Sequence, residues 1–286
     1  MSNQAIAVAN PTDVDFPADV RQRLDEINQR PVLLDLDGLN KIFISPTGQK
    51  IQALSDFDLR IHQRELITVV GPSGCGKSTM IRIIAGFETP TTGEVRLDGN
   101  PIETPGADRG MVFQSYTLFP WLSVKDNVKF GLKMANDPAA KSDEVALEWI
   151  DTVGLSGFAD HYPHQLSGGM KQRVAIARAL APKPRILMMD EPFGALDART
   201  RAQMQNHLLE IWRDVDVTIL FITHDLDEAV YLADRVLVLG SHPGHIKALV
   251  DVPLPRPRQH EQIFDPRFVE TKRYVEHLIH PPEDKG

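Results

Sequence analysis

Residues 71–79 read GPSGCGKST, a fit to G-x-x-x-x-G-K-[ST], between the apolar run LITVV and the helical run MIRIIAG. This stretch demands a strand, a glycine-rich turn and a helix in immediate succession. Backbone N–H groups wrap a phosphate only where no Cβ intrudes, and the helix that follows adds the positive end of its dipole. Gly71, Pro72, Ser73, Gly74, Cys75, Gly76, Lys77, Ser78 and Thr79 are therefore the expected phosphate cradle. Lys77 offers a cation to β- and γ-phosphates, and Ser78 a hydroxyl to Mg²⁺. Cys75 reads as a small side chain at an unconstrained position of the motif.

Further apolar, β-rich runs lie at 186–189, 218–222 and 235–239, with helical patterns between them. Strands alternating with helices predict βαβ units and a parallel sheet covered on both faces. The run ILMMDE, 186–191, ends in two acids. A strand closing on a carboxylate delivers that charge to the C-terminal edge of its sheet. Asp190 is thus expected to hold Mg²⁺, and Glu191 to polarise the attacking water as general base. LSGGMKQ, 166–172, sets Ser167 as the N-cap of a helix, with Gly168 and Gly169 leaving N–H groups open to an anion. One chain then carries two phosphate-binding helix starts.

Composition excludes several classes. Among 286 residues, 31 bases against 39 acids give a net charge of −8, which argues against gripping nucleic acid through bulk positive charge. A single cysteine forms no internal disulfide. No apolar run reaches the roughly 18 residues that span a bilayer. The opening MSNQAIAVANPTDVDF lacks the basic start and apolar core of a secretory leader, which predicts a soluble cytoplasmic protein. The pairs His161/His164 and His242/His245 come without cysteines and predict no metal site.

Residues 1–31 read as an extension in which Val20, Leu24 and Ile27 share one helical face, a strap packed on the main domain. A helical insert is expected around 123–165. There Ala146, Trp149, Ile150 and Val153 mark one face, and Asp143 and Glu144 are expected in the first turn. After 252 the proline-dense VPLPRPR reads as extended, and the tail's balanced charges assign it no partner. Asp265-Pro266 reads as N-cap and first residue of a last helix, with Phe268, Val275, Leu278 and Ile279 on one face.

The ordered set of motifs resembles the ATP-binding subunit of an ABC transporter over roughly residues 32–250. GPSGCGKST resembles the Walker A motif, LSGGMKQ the signature and ILMMD the Walker B motif. Glu191 matches the catalytic glutamate, Gln114 in MVFQ the Q-loop glutamine, and His224 in FITHD the switch histidine. GALD, 194–197, resembles the D-loop, with Asp197 its acid. The resemblance implies an α/β fold: a P-loop NTPase core with a parallel sheet, an antiparallel β subdomain and a helical signature subdomain at about 115–180. It implies a nucleotide-binding domain at 32–252, with extensions at 1–31 and 253–286, the latter carrying a helix. ATP and Mg²⁺ follow as cofactors, with Gln114 joining Ser78 and Asp190 at the metal, and Gln114, Glu191 and His224 as the catalytic group. Two subunits, a second copy or a homologous ATPase, would pair head to tail. Ser167, Gly168 and Gly169 would then meet the γ-phosphate of the partner's ATP. Phe43 in KIFIS is the best candidate to stack on the base, although an aromatic in a strand is most often core.

A finer resemblance is to importer ATPases of the nitrate/sulfonate/taurine type. It is carried by LFPWLSVKDNV, MMDEPFGALDARTR, FITHDLDEAVYLADRV and SHPGHI, the last with His245 where an arginine is common. Such an importer implies a membrane permease, a periplasmic or extracellular substrate-binding protein, and a peripheral place on the cytoplasmic face of the cell membrane. Phe119, Pro120 and Trp121, just after Gln114, are expected to border the groove that receives the permease. The alternative is a soluble ABC ATPase acting on nucleic acid or ribosomes; one motif set and an acidic balance weigh against it. A binder without turnover is countered by Glu191 and His224.

Overall fold

The computed structural model describes residue 10 and residues 14–134 and 139–281. The stretch that carries the no-leader reading, residues 1–16, lies mostly outside them. The chain divides into two compact units, residues 1–105 with 220–286, and residues 106–219.

In the first unit, α1 (Ala18–Gln29) precedes β1 (Val32–Ile44), β2 (Lys50–His62), β3 (Leu66–Val70), α2 (Lys77–Ile84), β4 (Thr92–Leu97) and β5 (Asn100–Pro101). β1 pairs antiparallel with β2 and with β4, and β4 with β5, giving the order β2-β1-β4-β5. Period-two alternation drives the start of β1, where Leu34 and Leu36 are buried and Asp35 and Asp37 are not; the pairing with β2 is irregular between Leu36 and Leu39, and Leu39 is buried one step out of that phase. This is the antiparallel β subdomain. β3 obeys a different rule, since all five residues of LITVV are buried, as a strand covered on both faces requires.

In the second unit, β6 (Arg109–Val112) is followed by α3 (Val124–Met134), α4 (Ala139–Thr152), α5 (Gly168–Leu180), β7 (Ile186–Asp190) and α6 (Ala198–Asp214). β6 and β7 pair in parallel. β8 (Thr218–Ile222) runs across the division between the units. The chain then returns to the first unit through α7 (Leu226–Leu232), β9 (Arg235–Gly240), β10 (His245–Asp251) and α8 (Pro266–Ile279). β9 pairs in parallel with β3 and antiparallel with β10.

The face of α4 is the expected one: Ala146, Trp149, Ile150 and Val153 are all buried. Its start is not. The helix begins at Ala139, so Asp143 and Glu144 fall past the first turn and are not its dipole partners. Asp143 instead pairs with Lys129 of α3, which holds its carboxyl below the usual range. α8 begins as expected, with Asp265 accepting from the Arg267 N–H at 2.8 Å ahead of Pro266. It buries Phe268, Thr271 and Val275, while Leu278 and Ile279 are only half-buried.

The arginines of VPLPRPR are bonded within the chain itself. Arg256 Nε donates to Asp234 Oδ1 at 2.9 Å, and Arg258 Nε to the Tyr231 carbonyl at 2.9 Å. Arg23 of α1 reaches the same carboxylate at 3.5 Å and donates to the Leu254 carbonyl at 3.1 Å. Both extensions are thereby fastened at one buried acid. Burial pushes the Asp234 carboxyl up, but Arg256, Arg23 and Arg258 outweigh it and hold the group below the ordinary range. Beside it, Arg235 bridges Glu65 at 3.0 Å and Asp251 at 2.9 Å. Burial pushes Glu65 up to about 7 against the pull of Arg235. A tally of the tail's net charge could not reveal this, because these arginines turn inward.

Candidate nucleotide site

The phosphate loop belongs to the first unit. It leaves the buried end of β3 at Gly71 and enters α2 through Gly76, whose φ of 92° lies in the left-handed region. A Cβ on Gly76 would stand 2.3 Å from Leu54 Cδ2 and 3.0 Å from the Ala53 carbonyl oxygen. One on Gly71 would stand 2.8 Å from both Cys75 Sγ and the Leu239 carbonyl oxygen. Two glycines of the motif are thus set by close packing as well as by phosphate access. Gly74, at φ 78°, has no atom within 4 Å of such a Cβ and is glycine for its backbone alone.

α2 has no side-chain cap, whereas α5, α6, α7 and α8 each have one. Its leading N–H groups are left for another acceptor, which fits an anion. Lys77 Nζ donates to the carbonyls of Gly71 at 2.8 Å and Pro72 at 3.1 Å, so its charge is held within the loop. Ser78 and Ser73 are exposed, and Thr79 and Pro72 half-buried. Cys75 is not at an unconstrained position. It is fully buried, its Sγ 3.7 Å from Lys77 Nζ.

The turn SHPGHI completes the support. The Gly244 N–H donates to the Ala53 carbonyl at 3.1 Å, and the Ser55 N–H to the Gly244 carbonyl at 2.8 Å. A Cβ on Gly244 would stand 2.3 Å from the Cys75 carbonyl oxygen, so this backbone lies against the phosphate loop. His245 Nδ1 sits 2.9 Å from the Pro243 carbonyl. The sequence reading missed Gly244 as a site residue; a glycine in a proline turn was its only signal.

His224 is exposed just beyond β8. The Thr223 N–H donates to the Val69 carbonyl at 3.2 Å, and Asp225 caps α7 through the N–H groups of Asp227 and Glu228. The histidine is therefore held between two fixed neighbours. Phe43 is 39% exposed near the end of β1 and is not core, which leaves its ring open to a ligand.

The carboxylates belong to the second unit. Asp190 ends β7, and Glu191 follows with φ 46°, in a region that non-glycine residues rarely adopt. Such strain persists only where the surroundings impose it. The Gly194 N–H donates to the Glu191 carbonyl at 3.2 Å, and Gln114 Nε2 to Glu191 Oε2 at 3.4 Å. The structure therefore brings the Q-loop glutamine and the candidate base together. Hydroxyl, amide and carboxylate oxygens from Ser78, Gln114 and Asp190 are the hard donors Mg²⁺ prefers.

Ser167 caps α5 as expected, its Oγ accepting from the Met170 N–H at 3.3 Å. The glycines after it have a second task. A Cβ on Gly168 would stand 3.0 Å from the Tyr116 hydroxyl, and one on Gly169, which is buried, 2.9 Å from Thr200 Cγ2. Asp197 caps α6, accepting from the Thr200 N–H at 3.0 Å; these bonds lower its carboxyl below the ordinary range. An aspartate just ahead of a helical run was the signal for that cap. Nearby, Phe119 lies against Trp121 and Phe130, with ring centroids 5.5 and 4.6 Å away, under the Arg178 guanidinium at 5.7 Å. Trp121 itself is 70% exposed. Among the described residues no helix is long and apolar enough to cross a membrane.

The family model described as "ABC transporter" matches residues 54–194. An uncharacterized ABC transporter ATP-binding protein of Methanocaldococcus jannaschii is 50% identical, over 89% of this chain and 95% of its own length. The nitrate import ATP-binding protein of Synechocystis is 49% identical over 78% and 83%. The taurine import ATP-binding protein of Pelagibacter ubique is 48% identical over 75% and 81%. Among solved structures, a dimeric ATP-binding cassette in a post-hydrolysis state, bound to ADP and Pi, aligns with a TM-score of 0.66 at 33% identity. That alignment covers 77% of this chain and 99% of the cassette.

Proposed function

This chain belongs to the ABC transporter family, as an ATP-binding subunit, and from that premise we propose how it works and what it serves. It binds and hydrolyses ATP to energise an importer. The solute is a small anionic compound of the nitrate, sulfonate or taurine kind, a reading supported by the names of its half-identical relatives. The same names favour transport over action on nucleic acid or ribosomes. The chain sits on the cytoplasmic face of the membrane, on a permease served by a substrate-binding protein. Residues 32–252 act as the nucleotide-binding domain, with a helical subdomain near 115–180, between extensions at 1–31 and 253–286.

Residues 71–79 cradle the triphosphate, with Lys77 against its β- and γ-phosphates. Phe43 stacks on the base. Ser78, Asp190 and Gln114 would hold Mg²⁺, which would supply charge neutralisation for the triphosphate. Glu191 accepts the proton of the attacking water, while Gln114 and His224 orient that water against the γ-phosphate. Ser167, Gly168 and Gly169 close the site of a second subunit, a copy of this chain or a homologue, so that each ATP lies between two subunits.

The observation that carries this reading is Glu191, fixed at positive φ at the end of β7 and 3.4 Å from Gln114 Nε2. Glu191→Gln is expected to keep ATP binding, to slow phosphate release by about 10²–10⁴, and to accumulate a dimer in Mg-ATP. Wild-type hydrolysis by that variant would remove Glu191 as the base. Reconstitution with the cognate permease and binding protein, with nitrate and taurine as trial solutes, tests the transport assignment.

A further inference from the structure

Lys41 is a buried lysine with no role in the mechanism above. It lies on β1 two residues before Phe43, so both side chains leave the same face of the strand. Its ammonium donates to Glu88 Oε1 at 2.7 Å and to the Thr89 carbonyl at 2.8 Å. The same nitrogen stands 4.9 Å from the centroid of the Phe43 ring. An ammonium has three donors; two are spent on oxygens, and the ring face is the third partner. The strand itself is pinned nearby, with the Thr91 N–H on the Asn40 carbonyl at 2.8 Å and the Ile42 N–H on Thr91 Oγ1 at 2.9 Å.

We propose that Lys41 is a positioning residue for nucleotide recognition: its anchored ammonium covers one face of Phe43 and holds the ring ready to stack a purine base on the other. This rests on the reading that Phe43 stacks on the base. A cation over an aromatic face is attractive, and an ordered ring loses less rotamer freedom when a base arrives. Glu88 neutralises the ammonium, and the carboxyl is itself held below its ordinary range by that bond. The pair therefore adds little field at the phosphates, and its influence is confined to the base.

The test uses the full chain and two probes, Mg-ATP and magnesium tripolyphosphate, which has no base. The charge-balanced double variant Lys41→Met with Glu88→Gln is expected to bind Mg-ATP about two- to fivefold more weakly, with tripolyphosphate unchanged. Lys41→Gln with Glu88→Gln keeps two polar side chains in contact without charge, and is expected to give the same split should the methionine variant fail to fold. Added to Phe43→Ala, either pair is expected to have no further effect. An equal loss for both probes would assign Lys41 a merely structural role and overturn the proposal; so would an unchanged affinity for Mg-ATP. If Phe43→Ala alone leaves the ratio of the two affinities unchanged, the stacking reading fails and this inference falls with it. If Phe43→Ala lowers the ratio and the Lys41 pairs do not, only the inference fails.

Discussion

Gly74 and Gly76 share a backbone conformation and differ in their surroundings, so alanine at each separates two costs. At φ 78° and 92° both residues occupy the left-handed region, where a Cβ costs about 1–2 kcal/mol. Gly74→Ala incurs that cost alone, because nothing lies within 4 Å of the new atom. Gly76→Ala also drives a methyl to 2.3 Å from Leu54 Cδ2 and 3.0 Å from the Ala53 carbonyl oxygen. Leu54 is fully buried, and the carbonyl oxygen belongs to the backbone. Overpacking of this kind costs about 1–3 kcal/mol. Any gain from stiffening the unfolded chain is common to both variants and cancels in the comparison. Gly76→Ala is therefore expected to be about 1–3 kcal/mol less stable than Gly74→Ala. Urea denaturation of the nucleotide-free chain, followed by circular dichroism, measures the difference. Equal midpoints and slopes for the two variants would refute the packing argument and leave backbone conformation as the whole reason for both glycines.

Asp234→Ala would leave Arg23, Arg256 and Arg258 facing one another without their shared acid. A loss of about 3–5 kcal/mol is expected by urea denaturation, since one member of a buried charged set is removed; a loss under 1 kcal/mol would contradict the network. Glu65 has an ordinary value of 4.5 and is raised to about 7 in the fold. Across that interval the folded chain keeps a proton the unfolded chain has released, so stability should fall as pH rises from about 4.5 to about 7. Asp234, which is shifted downward, loses its contribution only at lower pH. Glu65→Gln should flatten the slope between pH 5 and 7, and an unaltered slope would assign it elsewhere. Trp121→Ser should leave the isolated chain's stability within about 0.5 kcal/mol and its basal hydrolysis intact, while lowering permease-stimulated hydrolysis; unchanged stimulation would free Trp121 of a docking role.

Much of the site was legible because its chemistry dictates residue type locally. A phosphate loop needs glycines between a strand and a helix, and residues 71–79 state that need in nine letters. The buried strands β3, β7, β8 and β9 were equally plain, because near-continuous apolar runs have few other uses. What stayed hidden depends on contacts distant in sequence. Cys75 looked unconstrained because nothing in GPSGCGKST tells of Leu239 or Gly244 packed around the loop. The bonds of Arg256 and Arg258 are equally invisible in VPLPRPR, because Asp234 and the carbonyls of Leu232 and Tyr231 that receive them lie some twenty-odd residues upstream. The early start of α4 escaped because Ala139 is a good helix former in an otherwise unmarked stretch, whereas Asp143 and Glu144 mimic a first turn.

The close approach of Gly244 to Cys75 makes the nucleotide loop answerable to a turn encoded far downstream. A random-mutation survey scored only for lost ATP affinity would then return hits in the stretch between β9 and β10, outside the phosphate loop itself. Such hits would look like long-range communication. They would record nothing more than two backbones sharing a space too narrow for a methyl group.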